Sequence, residues 1–120
     1  MSFKKEIIPL NISLDGVEST NSAPFLLPPC NDFSLQIFSA LTASTPDHTI
    51  IALEQSNDGV NFDPVVDLSG NNVQIEAYDD IRTATINVSN LCTVWLRLAI
   101  TTPVGAGEAG SISYLILTSN

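Results

Sequence analysis

The clearest indication of the fold class is the stretch Leu53-Glu54-Gln55-Ser56-Asn57-Asp58-Gly59-Val60-Asn61-Phe62. On both sides of its polar centre, apolar residues alternate with polar ones, which is the pattern of strands that bury one face. Between the two alternating runs lies Asp58-Gly59, and glycine readily adopts the positive φ angle that tight hairpin turns require. The segment predicts a β-hairpin between strands at His48–Gln55 and Phe62–Leu68.

The same period of two recurs along the chain, in short runs separated by turn-forming residues. It predicts further strands at Glu6–Leu14, Phe33–Leu41, Val73–Ala77, Ile81–Val88, Leu91–Ile100 and Ser111–Thr118. The apolar residues of Phe33–Leu41 also fit one face of a helix, but a strand is favoured because all neighbouring segments are β. About eight strands predict an all-β protein with an antiparallel β-sandwich or jelly-roll-like architecture.

Length and composition fit one hydrophobic core. The chain has 120 residues, of which 44% are hydrophobic and only 14% are charged. A chain of this length is close to the commonest domain size, and its apolar fraction argues against disorder. We therefore expect a single domain over residues 1–120.

The charge of the chain is strongly acidic. Thirteen acidic residues oppose four basic ones, for a formal net charge of −9, and no basic residue occurs between Lys5 and Arg82. Nucleic-acid binding depends on cations that displace counterions from phosphates, and an anionic membrane attracts basic surfaces in the same way. The sequence therefore predicts neither a nucleic acid nor a membrane as a partner.

The N-terminal residues and the cysteines bear on the compartment. Glu6 follows Lys4 and Lys5, and polar residues and a proline interrupt the apolar residues after it, so no signal peptide is predicted. The two cysteines, Cys30 and Cys92, are too few for a disulfide framework. We expect synthesis in a reducing cytoplasm.

The sequence gives little indication of a set of catalytic residues. His48, the one histidine, follows Asp47, but adjacent residues on a strand point to opposite faces and do not form a triad. Glu54 and Asp63 flank the hairpin and are candidates for a facing carboxylate pair, as in a hydrolase. With so many acids such a pair arises readily by chance, so the sequence predicts no enzyme.

Oxygen-bearing side chains gather around the hairpin, namely Asp58, Asn61, Asp63 and Asp67. Such groups are the ligands that Ca²⁺ prefers. The same side chains stabilise turns by bonding to nearby backbone, and the spacing of an EF-hand is incomplete. The turn interpretation is favoured, so no metal or other cofactor is predicted.

A proline-containing segment, Val17–Pro29, predicts a long loop, since proline is excluded from central strands. It carries three consecutive apolar residues, Phe25, Leu26 and Leu27. Exposure of three adjacent apolar side chains to water is energetically unfavourable. They either cap the core or contact a neighbouring protein, and the sequence leaves both alternatives open.

Two side chains on the predicted strand Leu91–Ile100 are candidates for binding. Strand alternation places Trp95 and Arg97, together with Thr93, on the face opposite a core-facing row. That row consists of Cys92, Val94, Leu96, Leu98 and Ile100. Tryptophan and arginine are enriched at binding hot spots, and tryptophan also stacks on sugars. In the structural alternative, Trp95 packs under a long loop and Arg97 pairs with one of the many acids.

The segment 53–62, followed late in the chain by Val94-Trp95-Leu96-Arg97-Leu98, resembles small β-sandwich virion proteins of tailed bacteriophages. The resemblance is to auxiliary or decoration proteins of phage capsids, including those of crAss-like phages. It implies a structural protein on the capsid exterior that binds the major capsid protein or other virion proteins, and that is made in the cytoplasm of a bacterial host. This family offers no motif from which functional residues are transferred.

Together these observations predict a docking protein whose candidate interface residues are Trp95, Arg97, Phe25, Leu26 and Leu27. Self-association into a homo-oligomer is a further possibility. The alternative function is a carbohydrate- or receptor-binding module of a head fibre or tail, with Trp95 as its stacking platform.

Overall fold

The computed structural model describes residues 3–14, 18–30, 32–40, 49–77, 81–89, 93–102 and 110–120. These residues form ten strands: β1 (Lys4–Ser13), β2 (Ser19–Asn21), β3 (Phe25–Leu26), β4 (Asp32–Ala40), β5 (Thr49–Ser56), β6 (Asp63–Pro64), β7 (Gln74–Ala77), β8 (Ile81–Ser89), β9 (Trp95–Thr101) and β10 (Ser111–Ser119). Over the described ranges there is no helix, and so none that would cross a membrane.

The ten strands form two antiparallel sheets. The four-stranded sheet has the order β1-β10-β4-β8. In the six-stranded sheet β9 and β5 are central, with β2 and β3 beside β9 and with β6 and β7 beside β5. The predicted all-β antiparallel sandwich is therefore confirmed, with ten strands where the sequence predicted about eight.

The core lies between the two sheets and is built by alternate residues of each long strand. In β9, for example, Leu96, Leu98 and Ile100 are buried, whereas Trp95 and Arg97 at the alternate positions are not. The fully buried large side chains are Leu14, Leu35, Ile37, Ile51, Leu53, Val65, Leu96, Leu98, Ile100, Ile112, Leu115 and Leu117. Burial of a side chain of this size stabilises the folded state by roughly 1.5–3 kcal/mol.

The segment that also fitted a helix is a strand. Phe33, Leu35 and Ile37 of β4 point into the core, and β4 pairs with β10 on one side and with β8 on the other. The backbone groups along both edges of β4 are thus hydrogen-bonded to neighbouring strands. Tertiary pairing therefore selects the period of two over the helical stripe.

The second hairpin strand is much shorter than predicted. Phe62–Leu68 was expected as one strand, but only Asp63–Pro64 pairs with β5, and Val66 makes an isolated bridge to Asn72. The neighbouring stretch of β5 pairs instead with β7, through Thr49 to Ala52. Past Pro64 the amide of Val65 still donates to the carbonyl of Leu53 (3.0 Å), and the amide of Leu53 donates to the carbonyl of Val73 (2.9 Å), so β7 takes over this edge of β5.

The proline-containing segment also differs from the prediction of a long loop. Ser19–Asn21 and Phe25–Leu26 pair with β9 as two short edge strands. Between them the amide of Ser22 donates to the carbonyl of Leu98 (2.9 Å), and the Ser22 hydroxyl accepts from the Leu98 amide (2.9 Å). The serine side chain thereby carries the ladder past Pro24, at an edge where proline is tolerated.

Candidate functional site

The outer face of the six-stranded sheet carries Trp95, Arg97 and Thr93, as strand alternation predicted. The register of β9 on β5 places Arg97 opposite Glu54 and Trp95 opposite Ser56. Residues 57–62, called the hairpin loop below, follow β5 directly and fold back over these side chains, as the contacts below show.

Arg97 is held by two contacts. Its Nε donates to Oε1 of Glu54 over 2.6 Å, and the guanidinium carbon lies 4.2 Å from the centre of the Phe62 ring. The side chains of Arg97 and Glu54 are 25% and 19% exposed, so the ion pair is partly screened from water. The charge-assisted bond joins β9 to β5, and the cation–π contact joins β9 to the end of the hairpin loop.

Trp95 packs against the glycine of the predicted turn. Gly59 has a φ of +76°, and a Cβ built at Gly59 would lie 3.1 Å from Nε1 of Trp95. The hydroxyl of Thr93 donates to the carbonyl of Ser56 over 2.9 Å, which holds the start of the loop. The positive φ predicted for Gly59 is confirmed, and the close approach of the indole adds a second reason for a residue without Cβ.

Of the two alternatives for Trp95 and Arg97, the structural one is seen directly: Trp95 packs under a loop, and Arg97 pairs with an acid. Both side chains are half-buried and committed to contacts within the chain. Their part in binding a partner remains a prediction.

Asp58 organises the hairpin loop. Its Oδ1 accepts hydrogen bonds from the Val60 amide (2.9 Å), the Asn61 amide (2.8 Å) and the Ser56 hydroxyl (2.8 Å), and its Oδ2 accepts one from Nδ2 of Asn61 (2.8 Å). The backbone bonds from Asn61 and Val60, with the side-chain bonds of Asn61 and Ser56, hold the pKa of this carboxyl well below its usual range. The Asp58 side chain is therefore occupied in stabilising the turn, as the favoured interpretation predicted.

Of the acids of the metal alternative, Asp58 and Asp63 line one polar depression, described below, whereas Asp67 does not. Asp67 accepts from the amides of Ser69 (2.9 Å) and Asn71 (3.0 Å) and so closes a turn of its own. Within the described ranges no three side chains of the histidine, cysteine, aspartate and glutamate types lie close enough to hold a metal ion.

The proposed carboxylate pair is not formed. Asp63 lies opposite Gln55, and Glu54 lies opposite Pro64. Neighbouring positions on a strand face opposite ways, so Glu54 and Asp63 do not oppose each other. Glu54 is instead the partner of Arg97. The expectations for His48 with Asp47, and for Cys92, fall outside the described residues.

The three apolar residues of the proline-containing segment are divided between the two alternatives. Phe25 and Leu27 are each 7% exposed and belong to the core, whereas Leu26 between them is 55% exposed. The alternation of a strand that lies along an edge of the sheet explains this division. As a result, Leu26 alone of the three presents its side chain to solvent.

Leu26 forms one wall of an open apolar cleft at the end of the sandwich. The cleft has a volume of about 760 Å³ and is lined by Glu6, Leu26, Leu27, Pro28, Pro29, Cys30, Thr93 and Val94. A second depression of about 490 Å³ continues from it along the start of β1 and is lined by Lys4, Lys5, Glu6, Pro28, Leu117 and Ser119. These two depressions together are called the apolar cleft below.

Val94 corrects a prediction. Alternation assigned it to the core row of β9, but it is 44% exposed because it precedes the first residue of that strand, at the open end of the sandwich. Cys30, in the opposite wall, is half-buried. Burial raises the pKa of its thiol, and the charge of Asp32 raises it further. Alternation marks which face a residue occupies, but not whether the opposite sheet extends far enough to cover it.

A polar depression of about 430 Å³ lies beside the hairpin loop. It is lined by Gln55, Ser56, Asn57, Asp58, Asn61, Asp63 and Thr93. Amide, hydroxyl and carboxylate groups converge here, and Ser56, one of the lining residues, is the register partner of Trp95. The six-stranded sheet therefore carries a polar recess near one end of β9 and an apolar cleft beside Val94.

No protein-family model matches the sequence, and no curated protein matches it. Solved structures share the architecture. Dimeric latent PorU from Porphyromonas gingivalis aligns with 98% of this chain at a TM-score of 0.53 and 12% identity, and the chain spans only 12% of the length of PorU. The CBM36-1 domain of a multidomain xylanase from the hindgut metagenome of Trinervitermes trinervoides aligns with 95% of this chain, and over 96% of its own length, at a TM-score of 0.50 and 8% identity. At these identities the likeness shows the fold alone, which is that of a β-sandwich.

Proposed function

We propose that this chain is a structural auxiliary protein of a phage particle, which binds the outer surface of the capsid through the apolar cleft. The resemblance of segments 53–62 and 94–98 to small virion proteins supports the class of protein. The cleft supports the mode of binding. Because Trp95 and Arg97 are engaged with the hairpin loop, the proposal places the docking contacts on Leu26 and Val94.

The observation that carries this proposal is the exposure of Leu26 and Val94 on one side of a cleft whose other lining includes Pro28 and Pro29. Exposed apolar side chains that line a concave surface lose contact with water when a partner segment fills it. Two such side chains contribute on the order of 2–4 kcal/mol to binding when fully buried.

The charge of the chain defines its partner further. A protein with a net charge of −9 is attracted to a surface that carries basic residues around an apolar segment. We therefore expect the occupant of the cleft to be an apolar, extended segment of a shell protein with lysine or arginine outside the cleft, since the cleft itself is lined by Lys4 and Lys5 beside Glu6. Electrostatic attraction of this kind weakens as salt screens it, so attachment is expected to slow at high ionic strength.

Co-sedimentation with purified capsids stripped of this protein tests the proposal. The Leu26→Glu variant is expected to bind at least about tenfold more weakly than the parent, since it places a charge in the apolar wall. The matched control is Leu68→Glu, because Leu68 is fully exposed and does not line the cleft. Failure of the parent protein to bind capsids, or equal binding by both variants, contradicts the proposal.

A second candidate function is carbohydrate binding, and the polar recess favours it, since its lining includes Ser56, the register partner of Trp95. Its amide, hydroxyl and carboxylate groups suit the hydroxyls of a sugar, and the CBM36-1 domain of a xylanase shares this fold. Titration with soluble xylan and with a panel of other polysaccharides, followed by Trp95 fluorescence, tests it. Asn57→Ala is expected to abolish any spectral change, because Asn57 lines the recess. The absence of a change with every polysaccharide removes this candidate.

A further inference from the structure

The outer face of the four-stranded sheet carries a second surface, which shares only Lys5 with the apolar cleft. All ten described strands belong to the two sheets, so none of them forms a layer over this face. The side chains that alternate outward from it include Lys5 and Ile7 of β1, Tyr114 and Ile116 of β10, and Asp32 and Phe38 of β4.

The centre of this face is apolar. The rings of Phe38 and Tyr114 stack with their centres 4.4 Å apart and an angle of 16° between their planes, and these two residues are partners in the register. Ile7 lies opposite Ile116 in the adjacent row and is 65% exposed. Stacked rings that stand on the sheet present their edges outward, so this centre suits apolar contact with another protein surface better than face-to-face stacking on a sugar.

The charge of this face differs from that of the molecule. The chain carries thirteen acidic residues and a net charge of −9, yet among the described outward-facing residues of this sheet the one acid is Asp32, near its edge. Lys5 is a cation on the same face. Two copies of so acidic a protein repel each other least when they meet through the face that lacks acids. The uncharged, apolar centre therefore fits a second copy of this chain.

We propose that two copies of this chain associate face to face through the four-stranded sheet, with Ile7, Ile116, Phe38 and Tyr114 at the centre of the interface. A closed dimer has a twofold axis, and each contact occurs twice. When the axis runs along β10, it exchanges the positions above β1 and β4.

This arrangement has a specific consequence for the charged residues. Lys5 is in the same row as Thr118 and Ser34, and Asp32 is the next outward-facing residue of β4. The twofold axis along β10 brings Lys5 of one copy over Ser34 and Asp32 of the other. Two reciprocal Lys5–Asp32 pairs then flank the apolar centre, where they set the register of the dimer.

Sedimentation velocity of the full chain over a wide concentration range measures this association. The parent protein is expected to pass from monomer to dimer, and Ile7→Asp is expected to raise the dissociation constant at least about tenfold. Val66→Asp is the matched control, since Val66 is 53% exposed and lies outside the four-stranded sheet. Thermal unfolding of both variants checks that they fold. A parent that stays monomeric, or equal effects of the two substitutions, overturns the proposal.

Charge reversal tests the register. Lys5→Glu and Asp32→Lys are each expected to weaken the dimer about fivefold, because each places like charges together at the rim. The double variant, which reverses both charges, is expected to recover the dissociation constant of the parent. Dimerisation that is unchanged by each single reversal, or a double variant weaker than both, overturns the proposed arrangement.

Discussion

Arg97 and Glu54 lie directly opposite each other on β9 and β5, and the Nε of Arg97 donates to Oε1 of Glu54 over 2.6 Å. The guanidinium also lies over the ring of Phe62, the last residue of the hairpin loop. One side chain thus joins the two central strands of the six-stranded sheet to the loop that leaves them. Trp95 and Thr93 also contact this loop or its first residues, so side chains of β9 and of the residue just before it hold the loop in place.

This arrangement predicts energetic coupling between Arg97 and Glu54. Glu54→Gln is expected to reduce the free energy of unfolding by about 0.5–1 kcal/mol, a value that allows for the partial exposure of the pair. Arg97→Met is expected to cost about 1–2 kcal/mol, because it also removes the contact with Phe62. Urea unfolding of the single and double variants measures the coupling. Strictly additive losses contradict a direct interaction between the two side chains.

Gly59 and Gly70 form a matched pair for testing the contact with Trp95. Both have a positive φ (+76° and +83°), but a Cβ at Gly59 meets the indole at 3.1 Å, whereas a Cβ at Gly70 meets nothing within 4 Å. Gly70→Ala is expected to cost about 1 kcal/mol from backbone strain alone. Gly59→Ala is expected to cost about 1 kcal/mol more, since the ring must shift. A change in the Trp95 emission spectrum should accompany Gly59→Ala only, and equal losses without it would show that the ring yields freely.

The carboxyl of Asp58 makes stability depend on acid pH. Its pKa is lower in the folded chain than in the unfolded one, so its ionised form stabilises the fold above the unfolded value of about 4. This contribution declines as the pH falls from there toward the folded pKa. The difference in unfolding free energy between the parent and Asp58→Asn is therefore expected to shrink between pH 5 and pH 2. Denaturant titrations at several pH values measure it, and a difference that grows toward low pH contradicts the assignment.

Two buried threonines are expected to respond in opposite directions to the same substitution. Thr49 is fully buried, and its hydroxyl finds no hydrogen-bond partner among the described residues. The hydroxyl of Thr102, which is also buried, donates to the carbonyl of Glu18 over 3.2 Å. Thr49→Val is expected to stabilise the fold by about 1 kcal/mol and Thr102→Val to destabilise it by about 1 kcal/mol. Thermal unfolding measures both, and a loss of stability in Thr49→Val shows that its hydroxyl is satisfied.

Strand positions were predictable because burial on one face imposes the period of two. β4, β5, β8 and β10 lie within a residue or so of their predicted bounds over the described ranges. In β9, the assignment of Leu96, Leu98 and Ile100 to the core and of Trp95 and Arg97 to the outer face is confirmed. Local chemistry also identified the turn, since few residues other than glycine tolerate the backbone of Gly59.

The differences have separate causes. Alternation does not show which strand a segment pairs with, so it predicts a strand over Phe62–Leu68, of which only Asp63–Pro64 pairs in register with β5. Proline content predicts a loop over Val17–Pro29 because it excludes a central strand, but it does not exclude the edge pairing of Phe25–Leu26 with β9. Nor does alternation say where the opposite sheet ends, which is why Val94 was assigned to the core. The apolar cleft depends on that boundary and was not visible in the sequence.

The fold class, the face of each long strand and the turn at Asp58-Gly59 were predictable from the amino-acid sequence, because they follow from local backbone preferences and from the burial of alternate side chains. The pairing of Glu54 with Arg97 instead of Asp63, and the exposure of Leu26 between the buried Phe25 and Leu27, became visible in the folded chain. These outcomes depend on the register between strands that are distant in sequence. Register is set by the packing of the whole sandwich, and a shift of one residue would reverse each of them.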